Sequence, residues 1–370
     1  MSGSGTSTTP GWAVRKVTVI GCGLIGTSVA LALRRAGVRV ALADRDPGAV
    51  AMAVNRGAGV PLTTGAFAQA GASAQAGALA QAGTCAKAGR CARTGTCAEA
   101  GRRTEAGTCA KAGACAEAGA SLEAGATVPA DVVVIATPPS AVVPMLRWAQ
   151  ERRLGVLYTD VASVKARLLA EAEAAGCDLE SFVPGHPMAG RESSGPAAAS
   201  ADLFEGRPWA VCHHPALSPH AVRAVTTLVT ACGARVVPIE PEDHDRAAAA
   251  VSHAPHVVSS TLAARFAGSG EGALVLAGRG LLDVTRVAGG PSGLWRDILE
   301  HNAEPVADVL EAVADDLNSV VAALRSADPA LLGALTDVLG AGNAGRSRIV
   351  SSWPGTAGGP HGRRETAATG

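Results

Sequence analysis

The feature that most constrains this chain is a β-branched run at residues 17–20, Val-Thr-Val-Ile. It leads directly into Gly21-Cys22-Gly23-Leu24-Ile25-Gly26 and then into a helical stretch, 27–36. Three glycines at this spacing serve three steric tasks. Gly21 permits a tight turn after the strand, Gly23 lets a ligand approach the backbone, and Gly26 lets the helix pack closely on the strand. The helix then presents free N–H groups and the positive end of its dipole to a pyrophosphate. A second apolar run, 39–43, ends at Asp44, about 20 residues on, where a carboxylate would bond an adenosine ribose 2′-hydroxyl and repel a 2′-phosphate. This predicts a dinucleotide site that takes NAD in preference to NADP, with Gly21, Gly23, Leu24, Ile25, Gly26 and Asp44 as its contacts. The adjacent Arg45 is the one feature that would accommodate a phosphate. Thr137, in Ala136-Thr137-Pro138-Pro139 after a later apolar run, is assigned to the wall beside the nicotinamide.

Further apolar runs at 132–136, 156–160, 182–184, 209–212 and 235–239 alternate with helical stretches, the pattern of a parallel sheet covered on both faces. The fold class is therefore α/β, a Rossmann-type dinucleotide-binding domain with a mostly parallel sheet, spanning 14–240. After Glu240 the strand pattern stops. Residues 242–267, 271–287 and 292–325 carry apolar residues at helical spacing, so 241–350 should form an all-helical domain. Residues 1–13 and 351–370 lack periodicity and read as disordered.

The sheet pattern is interrupted at about 64–127. Eleven glycines recur every six residues from Gly65 to Gly125, and Cys85, Cys91, Cys97, Cys109 and Cys115 each lie two places after a glycine. A hexapeptide β-helix stacks bulky aliphatic side chains, and this unit offers only Ala or Cys. A glycine every six residues also costs a helix about 1 kcal/mol each relative to alanine. The segment reads as a weakly ordered, low-complexity insertion.

The 32 Lys and Arg are matched by 32 Asp and Glu. The chain lacks the basic excess that a nucleic-acid or anionic-membrane partner demands. The polar N-terminus has no apolar signal region, and no run of about 18 apolar residues reads as a membrane span. A cytoplasmic protein with reduced thiols is expected.

Three clusters carry the chemistry: Asp160-Val-Ala-Ser163-Val-Lys165; Gly185-His186-Pro-Met-Ala-Gly-Arg-Glu192-Ser-Ser-Gly195; and Ser252-His253-Ala-Pro-His256 with Thr285-Arg286 and Trp295-Arg296-Asp297. Ligands of an open parallel sheet bind beyond the strand carboxyl ends, where Ser163 and His186 fall. His253 and His256 are three apart with a proline between them and no carboxylate placed to complete a set, so no metal is expected.

Together these clusters resemble the prephenate/arogenate dehydrogenases of tyrosine biosynthesis, from about Val14 to Arg348 outside the repeat. The resemblance implies NAD-dependent oxidative decarboxylation of prephenate to 4-hydroxyphenylpyruvate, with arogenate as the alternative substrate, and a homodimer formed through the helical domain. By resemblance His186 is the general base, Ser163 bonds both substrate hydroxyl and nicotinamide, and Arg286 clamps a carboxylate. His256, Trp295 and Ser252 line the pocket, and Glu192 stands at its entrance. Gly342-Asn-Ala-Gly-Arg346 resembles the family's usual end of the helical domain. The chain departs from the family at Gly278-Arg279-Gly280, where consecutive glycines are usual, and in its repeat. A tyrosine-sensing domain of the kind some relatives carry is not expected after Val350. A non-catalytic nucleotide sensor is the remoter alternative, disfavoured because it would need neither His186 nor Arg286. A β-hydroxyacid dehydrogenase typically uses an interdomain lysine, and no lysine follows Lys165.

Loop-closure cost grows only logarithmically with length. Deleting residues 66–125 is therefore expected to leave turnover nearly intact in a steady-state assay. Loss of nucleotide binding in the deletion would show that the repeat supports the sheet.

Overall fold

The apolar runs become the strands of a parallel sheet ordered β3-β2-β1-β4-β5-β6. These are β1 Lys16–Ile20, β2 Arg39–Ala43, β3 Val60–Pro61, β4 Ala130–Ile135, β5 Gly155–Asp160 and β6 Phe182–Val183. The structure is a computed structural model and describes residues 14–62, 129–191, 193–268, 270–326 and 329–352. The repeat, Glu192, residues 1–13 and residues beyond 352 lie outside that description, and so do the expectations for them.

Alternation along the strands builds two cores. Val17, Val19, Val132 and Val134 pack to one face with Val29 and Leu33 of α1 (Leu24–Arg35) and Val225 and Leu228 of α5 (Pro219–Ala231). Ile20, Val133, Ile135 and Tyr158 pack to the other with Val142 and Leu146 of α3 (Pro139–Glu151) and Leu168 of α4 (Ala166–Ala174). A strand covered on both faces must be apolar along its covered length, and in β4 the run 132–135 is Val-Val-Val-Ile, fully buried, after Asp131 at its start. Helix α2 (Pro47–Asn55) starts at Asp46, whose carboxylate accepts from Gly48 N at 2.8 Å, with Pro47 pre-set in the first turn.

The expected strand at 182–184 divides between two sheets. Phe182 and Val183 end the large sheet. After Pro184 the chain enters β7 (Gly185–Pro187), antiparallel to β8 (Pro208–Cys212), which pairs in parallel with β9 (Arg235–Ile239). Proline supplies no N–H to a ladder, so Pro184 is where the large sheet stops. The sequence-based expectation of one sheet is corrected to two, and His186 belongs to the second.

The helical region differs from expectation at each interruption. The stretch 242–267 forms α6 (Pro241–Ala248), a π-helical turn (Ala249–His253) and α7 (Ala254–Ala264). Pro255 lacks an N–H and its ring crowds the carbonyl of Val251, and a wider turn relieves both. The stretch 271–287 breaks at Gly278 into α8 (Glu271–Leu274) and α9 (Arg279–Thr285), followed by a 3₁₀ turn, Arg286–Gly289. The stretch 292–325 breaks at Asn302, between α10 (Ser292–His301) and α11 (Ala303–Ser326). Helix α12 (Pro329–Ser352) runs through Gly342-Asn343.

The turn after β1 is crowded as its glycines require. A Cβ on Gly26 would stand 1.9 Å from the Gly21 carbonyl oxygen, and Gly21 itself has φ +106°. Gly26→Ala is expected to destabilise the fold by about 1–3 kcal/mol through overpacking, measured as a lower midpoint in chemical denaturation. Unchanged stability would show that helix and turn are not in contact there.

Candidate active site

Gly21 ends β1 against the carboxyl end of β4, since a Cβ there would lie 2.2 Å from the Ala136 carbonyl oxygen. Gly23 has nothing within 4 Å of its Cβ position. The turn is therefore closed toward the sheet and open in front, at the β1/β4 switch point of the strand order where such sheets bind ligands. Leu24 and Ile25 turn their side chains onto the core, which leaves their backbone N–H groups, at the start of α1, as what they offer a ligand. Asp44 accepts from Cys22 N at 2.6 Å and from Asp46 N at 2.9 Å, which anchors its carboxylate at the end of β2. Thr137 Oγ1 and Ser163 Oγ are both buried without a hydrogen-bond partner. A buried hydroxyl left unbonded costs about 1–3 kcal/mol, and a bound polar ligand relieves it. The open glycine, the anchored carboxylate and the two orphan hydroxyls fit a dinucleotide.

His186 sits on β7 opposite Ala210 and is 9% exposed. A knot of buried charge holds it. Lys165 and Asp160, both fully buried, form an ion pair. Lys165 Nζ also donates to the Gly185 carbonyl at 2.8 Å, while Asp160 Oδ1 accepts from Gly185 N at 3.1 Å. The pair thus grips both backbone groups of the residue before His186. Gly185 is enclosed as well, a Cβ there meeting Trp209 Nε1 at 3.0 Å and the Asp160 carbonyl at 3.1 Å.

The His186 Nδ1 lies 2.9 Å from His244 Nε2, and His244 Nδ1 lies 2.8 Å from Asp245 Oδ1. Asp245 also accepts from Lys165 N at 2.8 Å and Ala166 N at 2.9 Å, capping α4 from 80 residues away. Its backbone carbonyl takes the Asn302 amide at 2.9 Å, and the same amide lies 3.0 Å from His253 Nδ1. Burial first, then the His244 ring and the Lys165 ammonium, holds the His186 imidazole well below the usual histidine range. Burial likewise takes His253 down to about 4 and lowers His256.

Trp295 joins the third cluster to this one. His256 stacks on it at 3.4 Å between centroids, with planes 10° apart, and His253 meets its edge at 6.2 Å. The turn bearing Arg286 packs on the same ring, because a Cβ on Gly290 would lie 2.3 Å from Trp295 Nε1. Ser252 lies in the π-helical turn and is half-buried; Arg286 is exposed. His186, His253, His256 and Trp295 are therefore brought together through His244 and Asn302. A cleft of about 480 Å³ opens beside Met188–Arg191 and Asp202–Arg207, and an apolar groove of about 400 Å³ beside α7 and α11. Neither is lined by His186 or Ser163.

Sequence reasoning missed His244 and Asn302 and gave Lys165 no role. One signal was available. Pro241, His244, Asp245 and Ala248 form the buried stripe of α6, so His244 and Asp245 occupy positions where an amphipathic helix places apolar residues.

Comparison with known proteins gives the same picture. Residues 92–238 match the family model described as prephenate dehydrogenase, nucleotide-binding domain, and residues 240–336 that of prephenate dehydrogenase, dimerization domain. Residues 16–92 match a 3-hydroxyacyl-CoA dehydrogenase, NAD binding domain. The chain is 32% identical over 299 residues to a Streptomyces niveus protein named "Probable prephenate dehydrogenase NovF", covering 80% of this chain and 66% of that protein. It is 34% identical over 182 residues to the Bacillus subtilis prephenate dehydrogenase, covering 48% and 49%. The chain thus spans about half to two thirds of the length of the curated relatives it matches. In fold it is similar to the Aquifex aeolicus prephenate dehydrogenase solved with hydroxyphenyl propionate and NAD+, at TM-score 0.66 and 22% identity over 91% of this chain and 99% of that one. By its two matched domains and the order of its motifs, the chain belongs to the prephenate and arogenate dehydrogenase family.

Proposed function

We propose that the chain is an NAD-dependent prephenate dehydrogenase, releasing 4-hydroxyphenylpyruvate and CO2. The observation that carries this reading is His186, a buried imidazole held neutral by its surroundings, on β7 beside the carboxyl end of β5. The turn from Gly21 to Gly26 would hold the pyrophosphate, Asp44 the adenosine ribose, and Thr137 and Ser163 the nicotinamide end. Bound there, NAD+ would supply the acceptor for the hydrogen on the hydroxyl-bearing ring carbon, which leaves as hydride while the hydroxyl proton goes to the base and that carbon becomes a carbonyl.

His186 takes the proton of the ring hydroxyl as its O–H bond breaks, a task that suits an imidazole neutral at physiological pH. The Ser163 hydroxyl holds the substrate oxygen in line with the base. When the ring carboxylate leaves as CO2, the electron pair of the broken C–C bond enters the ring, which becomes aromatic, and His186 returns its proton to the phenolate. The Arg286 guanidinium is suited to a carboxylate, which its fork can bind through both oxygens. Trp295 and His256 give the ring a flat wall. The Asp245 carboxylate, an available partner for the ammonium of arogenate, is committed to Lys165 N, Ala166 N and His244, while Glu242 and Asp243 are exposed. This supports prephenate over arogenate.

A second copy of the chain is the partner we assign to the helical region. Leu317 and Leu324 of α11 and Leu339 and Ile349 of α12 are exposed, beyond what scattered surface leucines explain. Among the described residues no helix is long and apolar enough to cross a membrane. The cysteines at 22, 177, 212 and 232 are free thiols, which supports a reducing, cytoplasmic setting.

Steady-state assays with prephenate and arogenate, each with NAD+ and NADP+, test the assignment. Prephenate with NAD+ is expected to give the highest kcat/KM, and preference for arogenate or NADP+ would overturn it. His186→Asn is expected to lower kcat by about 10²–10⁴ with nucleotide affinity unchanged, and parental turnover would remove His186 as base. Because its pKa is depressed, the base stays unprotonated as pH falls. Then kcat/KM should hold level through pH 6.5 and decline only well below it; an acid limb centred at 6.5 or above would contradict this.

A further inference from the structure

We infer that His244 and Asp245 form a relay behind His186 that decides which of its ring nitrogens is bare, which makes both of them positioning residues for the proton transfer. The inference rests on the assignment of His186 as base. It starts from a single carboxylate. Asp245 stands at the N-terminus of α4 with Lys165 N donating to one oxygen and Ala166 N to the other, so both oxygens already act as acceptors. His244 Nδ1, 2.8 Å away, must therefore donate to it. A neutral imidazole with its proton on Nδ1 has a bare Nε2. The 2.9 Å contact to His186 then forms only if His186 Nδ1 donates. His186 Nε2 is left as the nitrogen without a proton.

The alternative protonation of the pair defeats the chemistry. If His244 carried protons on both nitrogens, its Nε2 would donate to His186 Nδ1 and place the His186 proton on Nε2, where the substrate proton has to go. Lys165 faces His186 from the start of α4, with Asp160 of β5 paired to it, and His253 faces it from the π-helical turn. His244 is 3% exposed and His186 9%, their rings 5.1 Å apart and edge to face. During reaction the substrate O–H bond breaks and an N–H bond forms at His186 Nε2. The positive charge so created is shared through the Nδ1–H bond with His244, whose far side faces the Asp245 carboxylate.

The test reads protonation directly. Full-length protein labelled with ¹⁵N-histidine is examined by NMR at neutral pH, the signals of the pair being assigned by their loss in His186→Asn and His244→Phe. In the parent, both His186 and His244 are expected as the Nδ1-protonated tautomer. A His186 protonated at Nε2 would overturn the relay, and this readout does not depend on activity. His244→Phe and Asp245→Asn are each expected to lower kcat by about 10²-fold, with the KM for NAD+ unchanged and His186 shifted toward the Nε2-protonated form. A kcat within twofold of the parent in a folded His244→Phe protein would reject the positioning role. The base assignment itself is judged separately by the kcat of His186→Asn, so its failure and the failure of the relay are distinguishable.

Discussion

The buried pair of Lys165 and Asp160 is the interaction on which the rest of the site depends. Both groups are withdrawn completely from water, a state that is tolerable only when every charge is met by an opposite charge or a hydrogen bond. Asp160 meets its share with Gly185 N and Ala162 N as well as the ammonium, and Lys165 with the Gly185 carbonyl. The consequence is geometric. The carboxyl end of β5, the start of α4 and the strand that carries His186 are fixed to one another by polar contacts with narrow distance tolerances, where hydrophobic packing alone would leave the ring free to shift.

The same logic joins the sheet to the helices that follow it. A helix leaves its first N–H groups without partners, and here two of the sheet-side helices receive their caps from the helical region. Asp245 caps α4, and Asp297 accepts from Ser140 N at 3.1 Å and Ser140 Oγ at 2.9 Å at the start of α3. Arg167 adds a bond to the Glu300 carbonyl at 2.7 Å. These contacts put the π-helical turn and Trp295 in register with the carboxyl ends of the strands. A carboxylate at a helix N-terminus is favoured by the dipole, so the seam between the regions is held by electrostatics that also orient His244.

The strands and the glycine turn were legible because they answer to local rules. Runs of Val and Ile bounded by glycine read as buried strands, and Gly21, Gly23 and Gly26 carry their steric reasons in their spacing. Ser163, His186 and His256 were legible through motif order. The division at Pro184 was less so, since proline marks a stop without saying which strand takes over. The breaks at Gly278 and Asn302 were hidden by continuous helical periodicity on either side. Asn302 matters because its side-chain amide, placed at the break, meets both the Asp245 carbonyl and His253.

By itself the sequence determined the α/β pattern, the glycine turn and the helical second half, because each follows from residue type and near-neighbour spacing, and it proposed roles for His186, Ser163 and Arg286 through a family resemblance. Only the tertiary structure decided that His244 stands behind His186, that Asp245 is spent on capping α4, that Lys165 is paired under Gly185, and that His256 lies flat on Trp295. Those contacts join residues 20 to 80 positions apart, and nothing in local spacing encodes them. They arise when buried charges and unpaired N–H groups must find partners as two regions close on each other.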